Sequence, residues 1–173
     1  ILIKKIKKDE PDLIITFGCS ILNTQFIQNL NNKILNIHLG LSPYYKGSGT
    51  NFFPFVNNEL QFLGSTIMRI SKKIDSGKII TQIRPRIEVK DSIHDIGNKI
   101  ILKTAQKLLK VIFSKKIYSF KQKPNKISRY YKRNDFNKHT LEKAYKNLKL
   151  GIIKSYLKNK KEINSEFPIL EKY

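Results

Sequence analysis

An α/β fold with a parallel sheet and a C-terminal helical extension is predicted by three features of the sequence. Residues 11–20, PDLIITFGCS, form a compact apolar run closed by Gly18, the pattern of a strand covered on both faces. Residues 33–38, KILNIH, form a second short apolar run that ends in polar groups. Ser92 and Asp95 then supply an S-x-x-D helix start, followed by Ile93, Ile96, Ile100, Ala105, Leu108 and Ile112 at mostly helical steps.

The first run predicts a central strand of the sheet. A helical stretch at 24–30 leads into the second strand, whose end carries Asn36 and His38. Ligands of open α/β sheets sit at the carboxyl ends of strands, so these two residues stand where chemistry is expected. Residues 39–50, LGLSPYYKGSGT, are dense in Gly, Ser and Pro and predict a loop, with a short helix over 51–56. Residues 62–70 and the Ile-rich 78–89 predict two strands joined by the turn 71–77, which holds Asp75. The Ser92 helix should cover the sheet. Residues 118–133 are polar, aromatic and irregular, and Leu141, Tyr145, Leu148, Ile152 and Tyr156 mark one amphipathic helix that ends in the lysine cluster at 158–161. The division expected is a catalytic unit at 1–115 and an irregular linker with a helical extension at 116–173.

At 173 residues, 40% of them apolar, the chain suits one ordinary domain with its own core. A single cysteine, Cys19, excludes an internal disulfide framework and a cysteine-based zinc site, and no run approaches membrane-spanning length. The expected setting is cytoplasmic, without a membrane. The formal charge of +21 would suit nucleic acid. However, lysine is spread through the chain with abundant Ile and Asn and few Arg, which is a compositional bias more than a binding stripe. Anionic substrates are favoured either way.

Asn36 and His38 lie two apart on a strand, so an amide and an imidazole face one side. Taken alone, such a histidine is as well read as a structural residue. Lys46, Gly47, Ser48 and Gly49 can form an anion-binding substrate loop, since glycines expose backbone N–H groups and lysine adds charge; a plain surface loop is the other reading, and P-loop spacing is absent. Cys19 is read as a small buried hydrophobe, and His94 and His139 as solvated side chains. Three dispersed histidines and one cysteine form no metal-ligand pattern.

The ordered set N-I-H at 36–38, Ser42-Pro43 and Lys46-Gly47 in the following loop, Gly64-x-Thr66, and Asp75-x-Gly77-x-Ile79-Ile80 resembles the folate-dependent formyltransferases. That family includes glycinamide ribonucleotide, methionyl-tRNA and amino-sugar N-formyltransferases. The resemblance runs from about residue 11 to 89, and more loosely through the helix ending near Phe113. It implies a Rossmann-like domain and transfer of a formyl group from 10-formyltetrahydrofolate, with no metal, to an amine of a small phosphorylated or nucleotide-linked substrate. Asn36 and His38 would then donate to the oxygen that gains charge as the amine attacks. Asp75, by its match to the family's Asp-x-Gly position, would act as general acid/base, although D-S-G is also good turn chemistry. The folate site would be lined by Phe17, Gly18, Cys19, Ser20, Ile21 and Leu22 and by the loop Lys72, Lys73, Ile74; on pattern alone Ile21 and Leu22 fit a core equally well.

Two departures leave the acceptor amine open. Met68 stands where many relatives have a second histidine seven residues before the aspartate, and Gly40-Leu41-Ser42-Pro43 replaces a common Ser-Leu-Leu-Pro. The chain opens at Ile1, in sequence that resembles a helix tail followed by a strand, so the expected domain is N-terminally incomplete. Relatives carry a glycine-containing phosphate loop in the region that would be missing; a protein beginning at Ile1 would lack that part of the substrate half of the site, which leaves its activity open. Because the residues after Phe113 have helical spacing and not β-barrel spacing, a small acceptor is preferred to aminoacyl-tRNA. The other alternative is a noncatalytic anion- or nucleic-acid-binding module, which requires a continuous lysine face and a trio that fails to converge. A homodimer is compatible with the tail helix.

Overall fold

The structure, a computed structural model, describes residues 2–30, 33–123 and 125–173. Helix α1 (Leu2–Asp9) leads into strand β1 (Ile14–Phe17), then α2 (Thr24–Leu30) and β2 (Ile34–His38). A loop containing the short β3 (Tyr45–Gly47) and helix α3 (Phe53–Val56) precedes β4 (Ser65–Arg69) and β5 (Ile79–Ile83). The long α4 (Ile93–Ile112), β6 (Arg129–Tyr131), α5 (Lys138–Lys149) and α6 (Ile152–Glu166) complete the order.

The main sheet runs β1-β2-β4-β5 and is mixed: β1 and β2 are parallel, whereas β4 is antiparallel to both β2 and β5. The expected central position of the first strand is corrected. Among the described residues β1 pairs with β2 alone, and its exposure alternates, leaving Ile15 and Phe17 open to solvent. An apolar run reports that side chains meet apolar surroundings; it says nothing about how many neighbours the backbone has. Phe17 faces the cavity described below instead of a layer of core.

α4 starts where the sequence places it. The Ser92 side chain accepts from the Asp95 N–H, and the Asp95 carboxylate accepts from the Ser92 N–H, a complete capping box. Its buried stripe is Ile96, Ile100, Thr104 and Val111, and the Thr104 hydroxyl meets the Ser65 hydroxyl of β4 so that neither polar group is buried unpaired.

The single tail helix of the sequence reading is two helices. Gly151 adopts φ +84° between them, a left-handed conformation that costs glycine little and other residues about 1 kcal/mol or more. Asn147 of α5 donates to the carbonyls of Phe55 and Val56, which α3 leaves unpaired. Ala144, Ile153 and Tyr156 join Tyr44, Phe55 and Phe62 in one apolar cluster. Beyond α6 the chain runs along β5: Gln82 N–H donates to the Leu170 carbonyl, and Lys172 N–H to the Thr81 hydroxyl. β6, in the stretch expected to be irregular, pairs in parallel with β3. Among the described residues no helix is long and apolar enough to cross a membrane.

Candidate active site

β2 ends at the mouth of a cavity of about 870 Å³, within the range that holds a drug-sized ligand. Asn36 and His38, two apart on the strand, both line it. The Thr16 hydroxyl of β1 lies 3.0 Å from the Asn36 Oδ1 and 3.2 Å from the Leu35 carbonyl, and its one hydrogen is shared between these two acceptors. An amide whose oxygen is so engaged turns its Nδ2 donors the other way. Met68 lies directly across the ladder from Asn36 and is buried.

His38 is 6% exposed. Its Nε2 lies 2.8 Å from the Tyr45 carbonyl, which can only accept, so Nε2 carries the hydrogen. Nδ1 faces Asp75 Oδ1 at 3.4 Å. Burial holds the imidazole below its ordinary pKa, opposed by the Asp75 charge and the Tyr45 hydrogen bond and aided by Lys46. We read the ring as neutral at pH 7, with the Nδ1 lone pair toward the carboxyl group, because desolvation is the largest influence. The contact is therefore not a standing ion pair, and the Nδ1 lone pair is left without a proton of its own beside the carboxyl group.

Asp75 sits at φ +47°, in the left-handed region that short polar side chains tolerate best. The fixed geometry comes from its surroundings. Gly47 N–H donates to Asp75 Oδ2 at 2.8 Å, and the Asp75 carbonyl accepts from Gln122 at 2.9 Å and from Ser42 at 3.3 Å. Gly77 allows the turn to close, since a Cβ there would overlap the Arg69 carbonyl. Gly40 has a comparable role: a Cβ would stand 2.5 Å from His38 Nε2 and 2.7 Å from the Thr50 hydroxyl.

The other sequence candidates divide. Phe17, Gly18, Cys19, Ser20, Ile21 and Leu22 line the cavity, as do Lys72, Lys73 and Ile74 and Gly47, Ser48 and Gly49. Lys46 does not; its ammonium donates to the Ser76 hydroxyl behind the Asp75 turn. Cys19 is exposed, not a buried hydrophobe, because the chain leaves the sheet at Gly18 and carries it into the cavity wall. His94 is exposed as expected, yet it also lines the cavity. Ile21 is 81% exposed, which excludes a core role. Phe17, Ile74 and Ile101 are likewise open, so this wall is an apolar surface suited to a flat heterocycle with backbone partners nearby.

Three contributions were missed by the sequence reading. Thr16 orients Asn36; an alternating strand pattern places it on the Asn36 side of the sheet, but nothing local marks its hydroxyl as a donor. Asn51 lines the cavity with its Oδ1 held by Gly64 N–H and its buried Nδ2 without a partner. Tyr130, Lys132 and Arg133 close the cavity from the C-terminal side. Among the described residues no group of three or more His, Cys, Asp or Glu could hold a metal.

A mixed α/β sheet thus brings an amide, an imidazole and a carboxyl group to one cavity beside exposed apolar side chains. The sequence pattern of the formyl transferase family matches residues 2–112, and the chain belongs to that family. The methionyl-tRNA formyltransferase of Halalkalibacterium halodurans is 33% identical over 105 residues, 60% of this chain and 32% of that protein. That of Ligilactobacillus salivarius is 30% identical over 126 residues, 68% of this chain and 38% of the relative. The chain thus spans about a third of the length of these curated relatives. Among solved structures, the Helicobacter canadensis N-formyltransferase in complex with folinic acid and dTDP-3-aminofucose has a TM-score of 0.58 at 30% identity, over 72% of this chain and 47% of that one. The formyltransferase PseJ from Anoxybacillus kamchatkensis, with UDP-4,6-dideoxy-4-formamido-L-AltNAc and tetrahydrofolate, shares the fold at TM-score 0.62 and 24% identity, over 72% and 66% of the two chains.

Proposed function

We propose that the chain transfers a formyl group from 10-formyltetrahydrofolate to an amine of a small anionic, nucleotide-linked substrate. The carrying observation is the convergence of Asn36, His38 and Asp75 in one cavity, with His38 Nδ1 3.4 Å from Asp75 Oδ1. Bound at the apolar wall of Phe17, Ile21 and Ile74, the folate would supply the formyl carbon and the nitrogen that takes up a proton when the amine replaces it.

In this reading the Asn36 Nδ2 donates to the formyl oxygen as negative charge develops there. His38, whose Nε2 hydrogen is held by Tyr45, acts with Asp75 and not as a second free donor. The amine must lose one proton and the departing folate nitrogen must gain one. Asp75 accepts the amine proton at Oδ1, and the neutral His38 Nδ1 holds it by hydrogen bond or takes it outright. The same proton then passes to the leaving nitrogen, so the pair ends as it began. Asp75 Oδ2 stays anchored to Gly47 N–H throughout.

The unit at 1–115 would carry this chemistry, with 116–173 as its extension, in a cytoplasmic setting and compatible with a homodimer. Methionyl-tRNA as acceptor is the second reading, favoured by the curated relatives of that name and the charge of +21. The helical tail, α5 and α6, favours the small acceptor. The test is transfer of ¹⁴C-formyl from 10-formyltetrahydrofolate to a panel of nucleotide-linked amino sugars, with methionyl-tRNA alongside. Formylation of methionyl-tRNA alone would overturn the small-acceptor assignment, and formylation of neither, with folate bound, would overturn the activity.

A further inference from the structure

The wall of the cavity that lies beyond the family-matched segment has a chemistry of its own. Tyr131 is turned inward: its ring stacks on Phe53 with centroids 3.7 Å apart and planes 4° from parallel, and its hydroxyl accepts from Asn57 at 2.6 Å. Arg129 is tied down by Glu59 through its Nε at 2.8 Å and its Nη2 at 2.5 Å, a two-point clamp that fixes strand position. Backbone bonds from Arg129 N–H to the Tyr44 carbonyl and from Ser48 N–H to the Tyr131 carbonyl set the register.

Side chains alternate along a strand, so the residue between these anchors must face the other way. Tyr130 does: it is 53% exposed and lines the cavity. The space beside it is occupied by Gly47, whose Cβ, if present, would be 3.2 Å from the Tyr130 ring. That same Gly47 donates its N–H to Asp75. The exposed ring thus stands one residue from the catalytic carboxyl group, held by a strand anchored at both ends. Lys132 and Arg133 follow it on the cavity wall, both exposed and neither in an ion pair among the described residues.

We propose that Tyr130, Lys132 and Arg133 form the acceptor-holding wall, with the Tyr130 ring stacking on a nucleobase and the two cations binding its diphosphate. This rests on the formyl-transfer reading and gives that reading its acceptor site. A flat exposed ring beside two uncommitted cations is the complement of a nucleoside diphosphate: the ring offers a face to any base, and Arg and Lys bind phosphate oxygens. An aliphatic or unphosphorylated amine would use neither.

Calorimetric titration of the full chain separates the two readings, using UDP, dTDP and GDP as acceptor-side probes and 5-formyltetrahydrofolate as the folate probe. At least one nucleoside diphosphate is expected to bind. Tyr130→Ala should weaken it by roughly five- to a hundredfold, the range seen when a base loses its aromatic platform, and Tyr130→Phe should restore most of the affinity. Lys132→Ala/Arg133→Ala should weaken it tenfold or more and abolish competition by inorganic pyrophosphate, which Tyr130→Ala should leave intact. The folate Kd should stay within twofold in every variant. Nucleotide Kd values unchanged in both Tyr130→Ala and the double variant would overturn the wall, as would no nucleotide binding while folate binds. Tight binding of tRNA with none of the mononucleotides would overturn it in favour of a polynucleotide. Loss of folate binding from the unaltered chain, with nucleotide binding intact and sensitive to these variants, would leave the wall standing and remove the formyl-transfer reading. Should Tyr130→Ala unfold the chain, as judged by far-UV circular dichroism, the exposed double variant and the Tyr130→Phe control decide the matter.

Discussion

Asp75→Asn isolates proton transfer from structure, because the site holds the two side chains in the same way. Asparagine is at least as tolerant of φ +47° as aspartate, so the backbone incurs no new strain. Its Oδ1 can accept from Gly47 N–H in place of the present 2.8 Å contact, and its Nδ2 can donate to the bare His38 Nδ1 that now lies 3.4 Å from Asp75 Oδ1. No buried group loses its partner, and the expected stability change is within about 1 kcal/mol. What is lost is the capacity to accept the amine proton. General acid/base groups contribute roughly 10²–10⁴ in rate, equivalent to about 3–5 kcal/mol of barrier at 1.36 kcal/mol per decade. The assay is single-turnover ¹⁴C-formyl transfer to an accepted amine with both substrates saturating, beside a denaturant melt and the Kd for 5-formyltetrahydrofolate. The expected outcome is loss of turnover with the melt and the folate Kd essentially unchanged. Turnover within threefold of the unaltered chain would refute the proton-relay role, whatever the melt showed.

Three further outcomes follow from the same geometry. Asn36→Ala should lower turnover by about 10²–10³, the effect of deleting one oxyanion donor, whereas Thr16→Val, which removes the hydroxyl that meets Asn36 Oδ1 and the Leu35 carbonyl, should lower it by about two- to tenfold; equal effects would show that Thr16 does more than orient. Gly40→Ala places a methyl group 2.5 Å from His38 Nε2 and 2.7 Å from the Thr50 hydroxyl, so it should destabilise the chain by about 1–3 kcal/mol and impair transfer more than binding; full activity would mean that the His38 ring position is not required. Because His38 is held below its unfolded pKa by burial, the unfolded chain binds the extra proton first, so stability should be fully present above about pH 6.5 and fall as pH drops below it, by at most about 1.4 kcal/mol per pH unit. Urea melts at pH 7.5 and 5.5 should differ in the unaltered chain and converge in His38→Gln; a difference that survives the substitution would place its source elsewhere.

The parts of the site that depend on strand geometry were legible from the sequence. A period of two is enough to put Asn36 and His38 on one side, and a capping pair is enough to start α4 at Ser92, because both are local properties. That β1 pairs with β2 alone among the described residues was not legible, since an apolar run is the same whether the backbone has one neighbour or two. Nor was the break at Gly151: the apolar steps of Leu148, Ile152 and Tyr156 stay in phase across it, and a lone glycine does not by itself end a helix. The direction taken by the Lys46 side chain was not legible for a related reason. Glycine-flanked lysines are common on anion-binding loops, but which side of the loop the ammonium takes is set by Ser76, thirty residues away.

The least legible element, β6, is also the one most closely tied to the chemistry, and a single residue makes the connection. Gly47 has Asp75 on its N–H side and Tyr131 across the ladder. Its φ of +90° and the absence of a Cβ, which would strike the Tyr131 carbonyl, are both needed for that pairing. The orientation of the Asp75 carboxyl group and the docking of the tail strand therefore share one backbone position and are not independent. Displacing β6 would remove Tyr130 from the cavity and at the same time free the loop that anchors Asp75 Oδ2. Occupation of the Tyr130 wall, by holding β6 in place, should in turn stabilise the geometry of the His38–Asp75 pair. An acceptor that reaches this wall would thus help complete the site that reacts with it, whereas one that bypassed the wall would meet a less ordered carboxyl group.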